Sequence, residues 1–109
     1  MYLPDIYDKF RQQYADIADK YDELGVACRA AGPLDQKVQD LVKLGIAVGA
    51  NSQGAVRSSA RKALASGATS EEIIQSVLLA LTTTGFPNMI ASLGWVREVL
   101  EKEGAVKSA

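Results

Sequence analysis

An all-α fold, a bundle of about five to six helices in one domain spanning residues 1–109, is what this sequence predicts. Three observations carry that expectation. Apolar residues recur at helical spacing along nearly the whole chain, and no stretch alternates apolar and polar for long enough to make a strand. Polar caps and Gly or Pro stops then cut the chain into pieces of helical length.

The first helix is expected to begin near Pro4, tolerated in a first turn, with Ile6 and Phe10 on one face. The second sets Ile17, Tyr21, Leu24, Cys28 and Ala31 at helical spacing and stops at Gly32-Pro33. On that stripe Cys28 reads as a small core hydrophobe. Tyr2, Tyr7, Tyr14 and Tyr21 recur every seven or five residues, a helix-packing pattern. Asp35 suits the N-cap of a third helix that reaches about Gly49. Within it LVKLGIAV is apolar on nearly every side, which implies a central, buried helix. Ser52 is placed to cap a fourth helix, rich in small side chains and closed by Gly67 at C′. Thr69 and Glu72 have capping-box spacing for a fifth, with Ile73, Ile74, Val77, Leu78 and Leu81 on its buried side. That helix ends over residues 82–85. Phe86-Pro87 opens the last one, which packs Met89, Leu93, Val96 and Leu100, then frays at Gly104 into a short polar tail. Ile90 and Trp95 fall off its main stripe. With the many-sided third helix they make an apolar surplus, so a homo-oligomer is expected.

Composition removes several functions. Of 109 residues, 48% are apolar and 23% charged, and the net charge is −1 with both signs scattered. No Lys/Arg cluster offers the field that nucleic-acid binding needs. No apolar run approaches the ~18 residues of a membrane span. The opening MYLPDIYDKF mixes charge with aromatics, unlike a secretory signal, and a cytoplasmic protein is expected. The chain has one cysteine and no histidine. Dithiol motifs, cysteine-based zinc sites, the usual triads and 2-His-1-carboxylate centres are therefore excluded within one chain. Neither cofactor nor metal is expected.

One stretch says more. LDQKVQDLVKLGIAVGANSQGAVRSSARKALASGATSEEI, residues 34–73, resembles the carboxymuconolactone decarboxylase family, which includes the alkylhydroperoxidase D-like proteins. LLALTTTGFPNMIASLGW after it and the opening LPDIYDKF share the resemblance, which covers nearly the whole chain. It implies an alkylhydroperoxidase D-like helical fold and a dimer, trimer or hexamer. In the family's peroxidase branch a carboxylate precedes a CxxC by twelve residues, and a histidine follows the second cysteine by four. Carried onto this sequence, the carboxylate position is Asp40, the cysteine positions are Ser52 and Ala55, and the histidine position is Ser59. A peroxidase sulfur must attack as a thiolate and be resolved by a second thiol, and a serine hydroxyl supports neither step. Dithiol peroxidase activity is expected to be absent. The decarboxylase branch lacks the CxxC but resembles histidine-centred acid–base chemistry, and here only Asp40, Glu23, Arg57 and Arg61 are left to serve it.

Each candidate has a plain and a sharper reading. Ser52 is an ordinary N-cap, or Asn51-Ser52-Gln53-Gly54 presents backbone N–H groups to a small organic anion. Ser52, Ala55 and Ser59 share a helical face, used either for close helix packing or as a pocket emptied of reactive groups. Asp40 pairs with Lys37 or Lys43, or is a pocket carboxylate. Arg57 and Arg61 lie on a solvated face, or clamp an anion with help from Gln53. Two functions follow: an enzyme or remnant acting on a small organic anion near Asp40, Ser52 and Arg57, or a non-catalytic oligomeric module.

Overall fold

The computed structural model describes residues 5–106, and among them every regular element is a helix. Seven segments follow in order: α1 (Asp5–Gln13), α2 (Ala15–Ala30), α3 (Gln36–Gly49), α4 (Gln53–Ala65), α5 (Ser70–Leu78), α6 (Leu81–Thr84) and α7 (Phe86–Lys102). They divide into two compact units, Met1–Pro33 and Leu34–Ala109. Tyr2, Pro4 and the end of the polar tail lie outside the described residues.

In the first unit α1 packs on α2. Tyr14 breaks the helical run, with φ −127° and ψ 53°. The ladder resumes at once, since the Tyr14 N–H donates to Phe10 C=O and its own C=O accepts from Ala18. Arg11 forms an ion pair with Asp22 and donates to the Tyr7 hydroxyl at 3.0 Å. The Asp22 hydrogen bond, and then the Tyr7 one, raise the Arg11 pKa further above its ordinary value. The expected core stripe is a surface: Ile17, Tyr21, Leu24 and Cys28 are all exposed, as are Ile6, Phe10, Tyr7 and Tyr14. A unit of two helices offers one contact seam, and a sequence stripe does not show whether a second layer covers it.

The second unit is built around α3, which packs against α4, α5 and α7. Asp35 caps it as expected, its carboxylate accepting from the Val38 N–H at 2.9 Å. At the far end Asn51 takes φ +53°. Its N–H bonds to Val48 C=O and the Ser52 N–H bonds to Ala47 C=O, a Schellman closure with asparagine in the left-handed position. The same closure ends α4, where Gly67 (φ +98°) donates to Leu64 C=O and Ala68 to Ala63 C=O. Leu44, Val48, Val56, Ala60, Ile73, Val77, Val96 and Leu100 form the core with Met89 and Val99. Small residues Ala60 and Ala63 on α4 let its neighbours approach closely.

Three expectations change here. α3 is not buried all round: Val42 is 48% and Ile46 66% exposed. The α5 helix stops at Leu78, so Leu78 and Leu81 stay exposed while Ile73 and Val77 fill the core. The one-turn α6 absorbs residues that periodicity assigned to α5. Trp95, off the sequence stripe, nevertheless packs half-buried against the core, whereas Ile90 remains exposed.

The capping box on α5 forms in full. Thr69 Oγ1 accepts from the Glu72 N–H at 3.1 Å, and the Thr69 N–H donates back to Glu72 Oε1 at 2.9 Å. Glu72 Oε2 also takes the Lys37 ammonium at 3.0 Å, tying α5 to α3. The Thr69 backbone bond first, and then Lys37, hold the Glu72 carboxyl below its ordinary value. A depressed carboxyl contributes stability that is complete above the unfolded pKa and is lost as pH falls through the folded one. We therefore expect the native protein to lose part of its urea resistance on acidification below about pH 4. Glu72→Gln should flatten that acid limb; an unchanged limb would remove Glu72 as its source.

Candidate functional site

Of the five candidate residues, Asp40 sits on α3, Gln53, Arg57 and Ser59 on α4, and Ser52 in the tight turn over residues 50–52 that joins the two helices. Asp40 is 2% exposed, on the inner side of α3. It is engaged in an interaction of its own, while the Lys37 ammonium is turned to Glu72. Ser52 occupies the N-cap position of α4, yet its side chain makes no capping hydrogen bond. The cause is local. Ser52 is also the last residue of the α3 closure, its N–H held by Ala47 C=O, and its ψ is 99°. At Asp35 and Thr69, where the caps do form, ψ is 168° and 160°.

Ser52 and Ala55 are exposed, and Ser59 is half-buried. Close packing of α4 falls instead to Val56, Ala60 and Ala63, one position round the helix. The expected packing role of the Ser52-Ala55-Ser59 face is thus corrected. Gln53 is exposed in the first turn. Arg57 is not on a freely solvated face: it reaches α7 and pairs with Glu98 at 2.8 Å, its side chain 28% exposed. The Nε atoms of Arg57 and Arg61 are both buried and without a partner among the described residues, as is Ser92 Oγ on α7. Glu98 offsets the like charges of Arg57 and Arg61 from within the chain.

Two concavities lie beside this region, and none of the five candidate residues lines either. The larger, about 450 Å³, runs between α3, α5 and α6, with Val38, Val42, Gly45, Gly49, Leu79 and Thr83 among its walls. The other, about 390 Å³, is bounded by Asn51, Thr84, Pro87, Asn88, Ala91 and Trp95, with Gly49 shared. Its polar centre is Asn88. The Asn88 amide donates to Val48 C=O at 2.7 Å and to Asn51 Oδ1 at 3.3 Å, while the Thr84 hydroxyl bonds to Asn88 Oδ1. This latch satisfies the carbonyl end of α3 from the start of α7. Sequence reading missed it; the asparagine directly after Phe86-Pro87 was its one trace.

Chemically the α3–α4 corner offers a sealed carboxylate, hydroxyls at positions 52 and 59, and an arginine already neutralised by Glu98. Among the described residues no cluster of His, Cys, Asp and Glu is arranged to hold a metal ion. Nor is any described helix long and apolar enough to cross a membrane.

The sequence signature described as the Carboxymuconolactone decarboxylase family matches residues 15–98. The chain belongs to that family, and its all-helical structure agrees with the resemblance. No curated protein and no solved structure matches the chain.

Proposed function

We propose, from membership of the carboxymuconolactone decarboxylase family as the premise, that this chain keeps the family scaffold without dithiol peroxide chemistry and works as a homo-oligomeric binding or assembly module. The observation that carries this reading is the state of the motif corner. Its carboxylate is 2% exposed, its arginine is held by Glu98, and the cysteine positions are Ser52 and Ala55. Reduction of a peroxide at that corner would need a thiolate to attack oxygen, which releases the alcohol and leaves a sulfenic acid, and a second thiol to condense with that acid to a disulfide with loss of water. The lone thiol, Cys28, lies on α2 in the other unit. Apolar surface supports the assembly half of the reading: Val42, Ile46, Leu79, Phe86 and Ile90 are exposed on one unit, and Ile17, Tyr21 and Leu24 on the other. A lone exposed thiol suits a reducing compartment, and we assign the protein to the cytoplasm.

A second reading, a small organic anion at the start of α4, is favoured by one observation. Ser52 leaves the first N–H groups of α4 without a side-chain acceptor, and such groups attract anions. One experiment addresses both. Purified protein with a dithiol reductant and an alkyl hydroperoxide should consume peroxide no faster than the reagents alone. Turnover that disappears in Cys28→Ser would overturn the main reading. A titration with a small dicarboxylate under the same conditions should give no saturable heat; saturable heat lost when Gln53-Gly54 is replaced by Pro-Pro, which removes two of those N–H groups, would promote the second.

A further inference from the structure

Glycine is disfavoured in a helix interior, yet α3 carries Gly45 there, with Gly49 one turn on as its last residue. Packing within the unit does not account for Gly45. A Cβ there would meet nothing within 4 Å, and one at Gly49 would meet only Thr84 Cγ2 at 4.0 Å. Together the pair floors the 450 Å³ groove between α3, α5 and α6. Small residues at this spacing permit a second backbone to come close, and no other element of this unit does so at Gly45.

The same face carries projections. Ile46 is 66% exposed, next to Gly45 and one turn on from Val42; Leu79, 66% exposed, stands on the opposite wall. Val38 and Val42, which line the groove, are also exposed. These four side chains expose on the order of 400 Å² of apolar surface, about the apolar share of one side of a standard interface. A small molecule filling the groove would leave Ile46 in water. A face that combines a shallow hole with a neighbouring ridge is complementary to itself, the condition a two-fold contact imposes.

We propose that this face is the contact between two copies of the chain, related by a two-fold axis, with Ile46 of each seated over Gly45 of the other. The assignment rests on the homo-oligomer reading above and adds where the contact lies. Ile46→Glu places a charge in the dry centre of such a contact and Gly45→Leu fills the hole. Each should weaken association at least tenfold in sedimentation equilibrium. As a readout that does not depend on weakening, Ile46→Cys in a Cys28→Ser background should be joined into a covalent dimer by a short bismaleimide. Ala65→Cys in that background, exposed on α4 away from the groove, should not. Wild-type protein that stays monomeric at high micromolar concentration would overturn this contact and the homo-oligomer reading together. An oligomer that neither loosens with Ile46→Glu nor crosslinks at position 46 would overturn this contact alone. A monomer that retains a small molecule in native mass spectrometry, lost on Gly45→Leu, would overturn it in favour of a ligand groove.

Discussion

Leu44→Ala is expected to lower the unfolding free energy by about 2–5 kcal/mol, the range for truncating a sealed leucine. Leu44 is 0% exposed on α3, the helix that packs against α4, α5 and α7. Removing three carbons there forfeits transfer energy and leaves a void that three rigid neighbours cannot close together. A small domain has only about 5–15 kcal/mol in total, so the variant gives up a large share of it. For a unit of this size each kcal/mol moves the midpoint by roughly 4–8 °C, so a fall of about 8–40 °C is expected in a calorimetric melt. A fall of a few degrees would mean that α3 is not the centre of the core. Because Ile46, two residues away, is exposed, Ile46→Ala should leave the monomer's melting temperature nearly unchanged. The contrast separates the two faces of one helix.

Gly85→Ala tests a different cause. Gly85 joins α6 to α7 at φ +94° and ψ 163°, a region essentially reserved for glycine. An added Cβ would meet Pro87 Cδ at 3.9 Å, ordinary contact, so the whole penalty is backbone strain. We expect a loss of about 1–3 kcal/mol, read as a lower urea midpoint at unchanged slope. Gly94→Ala should act in the opposite direction. Gly94 lies inside α7 with nothing within 4 Å of an added Cβ, so alanine gains about 0.5–1 kcal/mol of helix propensity. Equal effects at both glycines would refute the conformational account of Gly85.

Much of the local structure was legible because its causes are local. The Asp35 cap, the Thr69–Glu72 box, Gly67 at C′ and Phe86-Pro87 at the start of α7 each depend on residues within four positions. Ser52 shows the limit: its type suits a cap, but the turn closing α3 sets its backbone first and leaves the hydroxyl without that bond. The absence of histidine and of a second cysteine was equally legible, since it is a property of the chain.

The sequence by itself therefore determined the all-α class, most helix ends and a chain with one cysteine and no histidine. Periodicity states that a face is apolar, and the helix that could cover it is distant in sequence. Only the tertiary structure decided that Cys28 and Tyr21 face outward, that Trp95 turns in, and that Ile46 is left standing beside Gly45. It likewise decided that Lys37 goes to Glu72 and Arg57 to Glu98, pairings across 35 and 41 residues that no short-range rule contains. The opening expectation of one bundle thus became a core centred on Leu44 and an apolar groove beside it, set by which faces found neighbours.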